Sequence, residues 1–323
     1  MIRDSYGRPL KSLRISVTSK CNFDCVYCHQ EGIEKSRSEM TAEEMERIVR
    51  LTAAHGVKKV KITGGEPLLR HDIEEIVERI AGVEGITEVS MTTNAALLTK
   101  KAEGLRAAGL RRVNISLDTL DPKTFKEITQ GGRLETVIEG VKSAVEYGLE
   151  PVKLNMVVMR GLNTDKIKEM IAFASENRAI LQLIGLMENE YSDEFFKEYS
   201  CDLDRIVSEL EEEANEVLIR KFMQNRTRYI LDEGEVEVVF PMHNTEFCSN
   251  CTRIRVTANG KFKPCLMRTD NYVDFLEVMR SGASDVALEK LFFEAMTRRE
   301  PYFKKKVDVS DAETADVKNE GSA

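Results

Sequence analysis

Four short segments of this chain alternate apolar and polar residues with period two, and each leads into an amphipathic helical stretch. Leu13, Ile15 and Val17 alternate with Arg14, Ser16 and Thr18, and Val60 and Ile62 with Lys61 and Thr63. Val113, Ile115 and Leu117 alternate with Asn114, Ser116 and Asp118, and Val152, Leu154 and Met156 with Lys153 and Asn155. Successive side chains of a strand point to opposite faces, so each predicted strand has one apolar and one polar face. The strand–helix rhythm runs from Leu13 to about Met187 and implies a parallel sheet. A parallel sheet covered by helices on both faces would read as continuous apolar runs. The pattern therefore predicts an α/β fold built as a partial (βα)6-type barrel rather than an open doubly wound sheet. Its apolar face lies under the helices and its polar face lines a lumen suited to a polar ligand.

Strands are expected at 13–18, 58–62, 87–91, 112–117, 151–157 and 180–186, and helices near 42–54, 73–82, 99–108, 134–147 and 164–177. Thr41 with Glu44, and Asp72 with Glu75, have capping-box spacing, and Gly56 supplies a helix stop. Right-handed crossovers gather the loops after the strands on one rim. Past Met187 an acidic helical stretch, 188–216, gives way to short strands over 217–240 and to a hairpin signal at Asn259-Gly260. The expected organisation is a partial barrel over 1–187, a C-terminal region over 188–303 and a disordered tail over 304–323.

Among 323 residues, 32% are charged and the net charge is -8. That balance gives no support to a general nucleic-acid binder, which would carry a basic face. With no apolar run long enough to span a bilayer and no signal-peptide pattern in Met1 to Leu10, a cytoplasmic protein without membrane partners is expected.

The seven cysteines form two tight triplets and one single, Cys201, which reads as a small core residue. This is metal-site arithmetic in a reducing compartment and a poor match to paired disulfides. Cys21, Cys25 and Cys28, spaced C-x3-C-x2-C, directly follow the first strand and so sit on the rim. A structural zinc usually takes four protein ligands, whereas a [4Fe–4S] cubane on three thiolates keeps one iron open. Spacing alone leaves zinc open for either triplet, with His243 close to the second. At the end of the second strand stand Gly64-Gly65-Glu66-Pro67, where glycines allow close backbone approach and a carboxylate or main-chain carbonyls can accept from an ammonium.

This combination resembles the radical S-adenosylmethionine (SAM) enzymes. The resemblance implies a [4Fe–4S] cluster on Cys21, Cys25 and Cys28 with SAM on its open iron. It also implies Gly65 near the SAM amino group, Tyr27 beside the adenine, and Ser116 and Met187 along the cofactor. The second triplet, Phe247-Cys248-x2-Cys251-x-Arg253-x-Arg255-x-Thr257 followed by Gly260 and Cys265-Leu266, resembles the C-terminal signature of the GTP 3′,8-cyclases of molybdenum cofactor biosynthesis. That likeness covers about residues 4–300. It implies a second [4Fe–4S] cluster on Cys248, Cys251 and Cys265 that binds the guanine of GTP, with Arg14, Lys61, Thr92, Lys153, Arg253 and Arg255 as GTP contacts. Lys61 stands where the family has arginine, Ala95 where it has the glycine of Thr-Thr-Asn-Gly, and 319–323 where it commonly ends in Gly-Gly.

The activity implied is radical cyclisation of GTP to 3′,8-cyclo-7,8-dihydroguanosine triphosphate, with no side chain acting as nucleophile, acid or base. The partners implied are GTP, an electron-donor protein, a hand-off to cyclic pyranopterin monophosphate synthase and a homodimer. Rival readings are a peptide or sulfatase maturase with an auxiliary cluster, and a non-catalytic metal- or redox-sensing module. The second would not need Arg14, Lys61 and Lys153 on one inner face.

Overall fold

The computed structural model describes residues 2–29, 39–188 and 193–303. Six parallel strands follow the predicted order: β1 (Ser12–Ser16), β2 (Lys59–Thr63), β3 (Glu88–Thr93), β4 (Arg112–Ser116), β5 (Val152–Val158) and β6 (Ala179–Gly185). Between them run α1 (Ala42–Ala54), α2 (Ile73–Ala81), α3 (Ala102–Ala107), α4 (Pro122–Thr129), α5 (Leu134–Glu146) and α6 (Ile167–Glu176). Their apolar stripes close on the outer face of the sheet in one core that includes Leu13, Ile15, Val60, Ile62, Val113, Ile115 and Leu154, each at most 1% exposed. Burying each such side chain contributes about 1.5–3 kcal/mol, so the apolar face determines which way every strand turns.

The rest of the described chain adds α7 (Asp193–Tyr199) and α8 (Asp204–Glu213), then β7 (Glu216–Arg220), β8 (Arg226–Leu231) and β9 (Gly234–Val239) as an antiparallel meander. After α9 (Thr245–Ser249) come β10 (Arg253–Val256), β11 (Lys261–Lys263), β12 (Val273–Asp274), α10 (Leu276–Arg280) and α11 (Asp285–Thr297). These strands lengthen the sheet at both ends. β10 pairs in parallel with β1, and β9 in parallel with β6. The resulting order is β12-β11-β10-β1-β2-β3-β4-β5-β6-β9-β8-β7, an unclosed twelve-stranded sheet among the described residues. Gly260, at φ 73°, makes the expected turn between β10 and β11.

Thr41 caps α1 as a full capping box: its hydroxyl accepts from Glu44 N at 3.2 Å and its amide donates to the Glu44 carboxylate at 2.8 Å. Asp72 does not cap α2. Its carboxylate instead accepts from Arg70 Nε at 2.7 Å, because a charged fork two residues away competes with a neutral amide. Helix α4 was not expected, although Asp121-Pro122 carried its start signal; Asp121 accepts from Thr124 N at 2.7 Å and Pro122 occupies the first turn. The tail over 304–323 lies outside the described residues.

Helix α11 fastens the C-terminal strands to the barrel through Phe292, which is fully buried against Phe262 and His55 at ring-centroid distances of 5.7 and 5.5 Å. Phe292→Ala should lower stability by about 3–5 kcal/mol, read as the shift in denaturant midpoint. A shift below about 1 kcal/mol would show that this packing does not anchor β11.

Candidate active site

The first cysteine loop is held by main-chain contacts. Asp24 N and Val26 N donate to the carbonyls of Thr129 and Ile128 at the end of α4, each at 3.0 Å, and Cys28 N donates to Cys25 O at 2.9 Å. From the other side, Gly65 N donates to Thr18 O at 2.8 Å and Glu66 N to Lys20 O at 2.7 Å. A Cβ at Gly65 would lie 2.2 Å from Lys20 O, and one at Gly64 2.7 Å from Thr18 O. Both glycines are therefore required by backbone packed on backbone. The Glu66 carboxylate, 1% exposed, accepts from Leu68 N, Thr93 Oγ1 and Asn94 N at 3.0, 2.7 and 2.7 Å. It is committed to the protein, which leaves main-chain carbonyls as the acceptors this stretch can offer a ligand ammonium. Tyr27 donates its hydroxyl to Asp118 Oδ2 at 2.8 Å, and Asp118 Oδ1 accepts from Val157 N at 2.8 Å, tying the loop to the ends of β4 and β5.

The second triplet surrounds β10. Cys248 lies in α9, whose cap Asn244 accepts from Phe247 N at 2.8 Å; Cys251 leads into β10, and Cys265 follows β11. Burial would raise the Cys251 thiol, but the guanidiniums of Arg299 and Arg253 bring it below the ordinary cysteine value.

One cavity of about 360 Å³ takes lining from both triplets, Cys28 on one side and Cys248, Cys251 and Cys265 on the other. Of the other residues expected at the site, Arg14, Tyr27, Lys61, Thr92, Met187, Arg253 and Arg255 also line it. Cys21, Cys25, Gly65, Ser116 and Lys153 do not. Lys153 is 3% exposed and donates to Glu237 Oε2 at 2.6 Å. Glu237, fully buried on β9, also accepts from Arg220 and Arg226 at 2.8 and 3.0 Å. Burial favours its neutral form, but Lys153 and Arg226 hold the carboxyl well below the usual carboxylate range. Lys153 is thus drawn to a buried carboxylate instead of the open cavity.

Strand register explains the charge of the lumen. Arg255, Arg14, Lys61, Ser90 and Arg112 occupy one row across β10, β1, β2, β3 and β4, a row without a carboxylate. Burial, followed by Arg112, Arg14 and Arg253, pushes the Lys61 ammonium well below its ordinary value. Burial with Arg226 and Arg14 does the same to Arg253. A ladder of amides spans the floor: Lys61 donates to Asn114 Oδ1 at 2.7 Å, while Asn114 and Gln182 donate to Asn155 Oδ1 at 3.2 and 3.0 Å. Arg226, which sequence reasoning missed, donates to Gln182 Oε1 at 3.1 Å. The Nε atoms of Arg226 and Arg255 are buried without a hydrogen-bond partner among the described residues. Crowded, desolvated cations with spare donors are suited to a polyanion.

All six triplet thiols are free, those of Cys21 and Cys28 exposed and the rest half-buried. A tetrahedral zinc with Zn–S about 2.3 Å brings thiolates to about 3.8 Å of one another, whereas each thiolate of a cubane holds a different iron. Among the described residues no three His, Cys, Asp or Glu side chains converge as one ion would require. Three thiolates per triplet are the donor set of a cubane that keeps one iron open, whereas a structural zinc usually takes four protein ligands.

Sequence comparison gives the class. The profile of the Radical SAM superfamily matches residues 15–174, and that of Molybdenum Cofactor Synthesis C matches 179–305. Relatives include the probable GTP 3′,8-cyclase of Methanothermobacter thermautotrophicus, 48% identical over 94% of this chain and 99% of the relative. That of Thermococcus kodakarensis is 48% identical over 94% of this chain and 100% of its own length. The chain belongs to the GTP 3′,8-cyclase family of radical SAM enzymes. In fold it is similar to Streptococcus suis SuiB bound to S-adenosylmethionine, with a TM-score of 0.62 and 23% identity over 84% of this chain and 65% of SuiB. It is also similar to anSMEcpe with bound AdoMet, with a TM-score of 0.61 and 19% identity over 92% and 84% of the two chains.

The Asp118 carboxyl is pushed up to about 6 by burial, against which its hydrogen bonds from Tyr27 and Val157 only partly act. Between the unfolded value near 4 and the folded value, the native state holds a proton that the unfolded chain has lost. Stability from this group is therefore full at the acid end and falls by about 3 kcal/mol as pH rises to about 6. Asp118→Asn should remove that slope relative to the wild-type chain in denaturation at pH 4.5 and 7; parallel pH profiles for the two would refute the shift.

Proposed function

We propose that this chain is a GTP 3′,8-cyclase that holds two [4Fe–4S] clusters and binds SAM and GTP between them. The observation that carries the reading is one cavity lined by Cys28 of the first triplet, by Cys248, Cys251 and Cys265 of the second, and by Arg14, Lys61 and Arg255 of the cation row. Cys21, Cys25 and Cys28 would hold one cluster, and Cys248, Cys251 and Cys265 the other. When bound, the first cluster with SAM supplies a 5′-deoxyadenosyl radical able to take the 3′ hydrogen of GTP, after which C3′ joins C8 of guanine.

This chain's own residues bind, orient and exclude water. Arg14, Lys61 and Arg255 hold the triphosphate, whose negative charge relieves their mutual repulsion, and Arg253 and Thr92 complete the contacts. Arg226 joins them from β8, held by Gln182 and Glu237. Lys153 acts one step back, by fixing Glu237. Tyr27 and Met187 line the SAM end of the cavity; Gly65, packed on the cysteine loop, and Ser116, at the end of β4, stand outside that lining. No side chain is asked to act as nucleophile or general base. Residues 1–187 provide the barrel and 188–303 the second cluster region. An electron-donor protein supplies the reducing equivalent, and the product passes to cyclic pyranopterin monophosphate synthase.

Anaerobically reconstituted protein should carry about eight irons and, with dithionite, SAM and GTP, form 5′-deoxyadenosine together with a product that oxidises to a pterin. Release of 5′-deoxyadenosine that does not depend on GTP would remove GTP as substrate. Cys265→Ser should bring the iron count to about four and abolish GTP turnover, whereas unchanged turnover would remove Cys265 from the ligand set.

A further inference from the structure

The segment before β1 and the residues after α11 meet against the main chain of the second cysteine triplet, where Asp4, Arg8 and Arg299 are 7%, 5% and 1% exposed and Arg8 also lines the cavity. Arg8 Nε and Arg299 Nη1 donate to the same oxygen, Asp4 Oδ2, at 2.8 and 2.6 Å. Arg8 Nη2 donates to Arg299 O at 3.0 Å and Arg299 Nη1 to Arg8 O at 3.1 Å, closing the set on itself. The other donors all leave in one direction. Arg8 Nη1 donates to Cys248 O at 2.9 Å, Arg299 Nε to Arg253 O at 2.8 Å, and Arg299 Nη2 to Cys251 O.

Two guanidiniums on one carboxylate leave a net positive charge buried against the loop. Desolvating an unmatched cation costs several kcal/mol, and a clamp whose only task was to hold a turn would be served as well by a neutral amide. Three thiolates on an iron–sulfur core carry net negative charge, and the potential of such a core responds to nearby charge and solvent exposure. We infer that Asp4, Arg8 and Arg299 are positioning residues for the second cluster. They hold the main chain of Cys248, Cys251 and Arg253 so that the thiols share one core, and their excess charge stabilises its reduced form. This rests on the two-cluster reading above.

The test uses Arg299→Gln, Asp4→Asn and the conservative Arg299→Lys in the full chain. Iron content and electron-paramagnetic-resonance redox titration are read on anaerobically reconstituted protein, and amide hydrogen exchange over residues 244–256 on the iron-free chain. Arg299→Gln removes a positive charge and should shift the second cluster's potential down, while Asp4→Asn removes a negative one and should shift it up. The first cluster's potential should move in neither. Loosened packing alone would not give opposite signs. Exchange over 248–253 should quicken in both, and also in Arg299→Lys, which keeps the charge but loses the fork. Unmoved potentials with eight irons retained, or shifts of the same sign, would overturn the inference. About four irons in the wild-type protein would instead refute the two-cluster reading, and unchanged exchange in the iron-free variants would then overturn the clamp on its own. If Arg299→Gln fails to fold, the exchange and potential of Arg299→Lys and Asp4→Asn decide.

Discussion

Repulsion among buried cations is the constraint on which this architecture depends. Arg255, Arg14, Lys61 and Arg112 stand in one row because parallel strands in register stack like faces, and the helices have already claimed the opposite face for apolar residues. A row of this kind opposes folding unless something offsets it. Arg112 is offset locally by Glu88 at 2.7 Å, and Lys153 and Arg226 by Glu237. Lys61 donates to the amide of Asn114, and among the described residues Arg255 keeps a buried Nε without a partner. The distribution is selective: carboxylates answer the cations on the floor and edges of the lumen, Glu88 meeting Arg112 and Glu237 meeting Lys153 and Arg226.

Much of this was legible in the amino-acid order because strand periodicity and cysteine spacing are local signals. The alternation in Leu13 to Thr18 and in Val60 to Thr63 placed Arg14 and Lys61 on the polar face, and the cavity is lined by both. The same logic carried Lys153 into the lumen, and there it was incomplete. Period two settles which face a residue takes; it does not say that a carboxylate 84 residues later will arrive on the next strand but one and capture it. Arg226 lies on β8, in the antiparallel meander beyond the strand–helix rhythm, and meets the lumen through Gln182 and Glu237, so the barrel's period-two pattern did not mark it. Helix α4 could have been found, since Asp121-Pro122 is a local start signal.

The roles of the glycines and of Glu66 show another limit. Their order in the chain suggested contact with a ligand, yet the space a Cβ at Gly65 would need is taken by the carbonyl of Lys20. The motif after β2 is first of all a brace for the loop after β1. Such double duty cannot be separated by sequence, because a residue packed against a ligand-bearing loop and a residue packed against the ligand face the same demand for smallness. The Asp4, Arg8 and Arg299 set, which joins positions almost 300 residues apart, lies entirely outside what spacing can express.

The strand order has a consequence for the birth of the molecule. β10 adjoins β1 and β9 adjoins β6, so the first and last parallel strands of the barrel each wait for a neighbour made late in synthesis. A ribosome delivers the chain from its amino end, and pairings between distant segments form slowly. Until β10 docks, one wall of the lumen is open and the cation row is solvated. The electrostatic cost of the cavity is therefore deferred to the closing step.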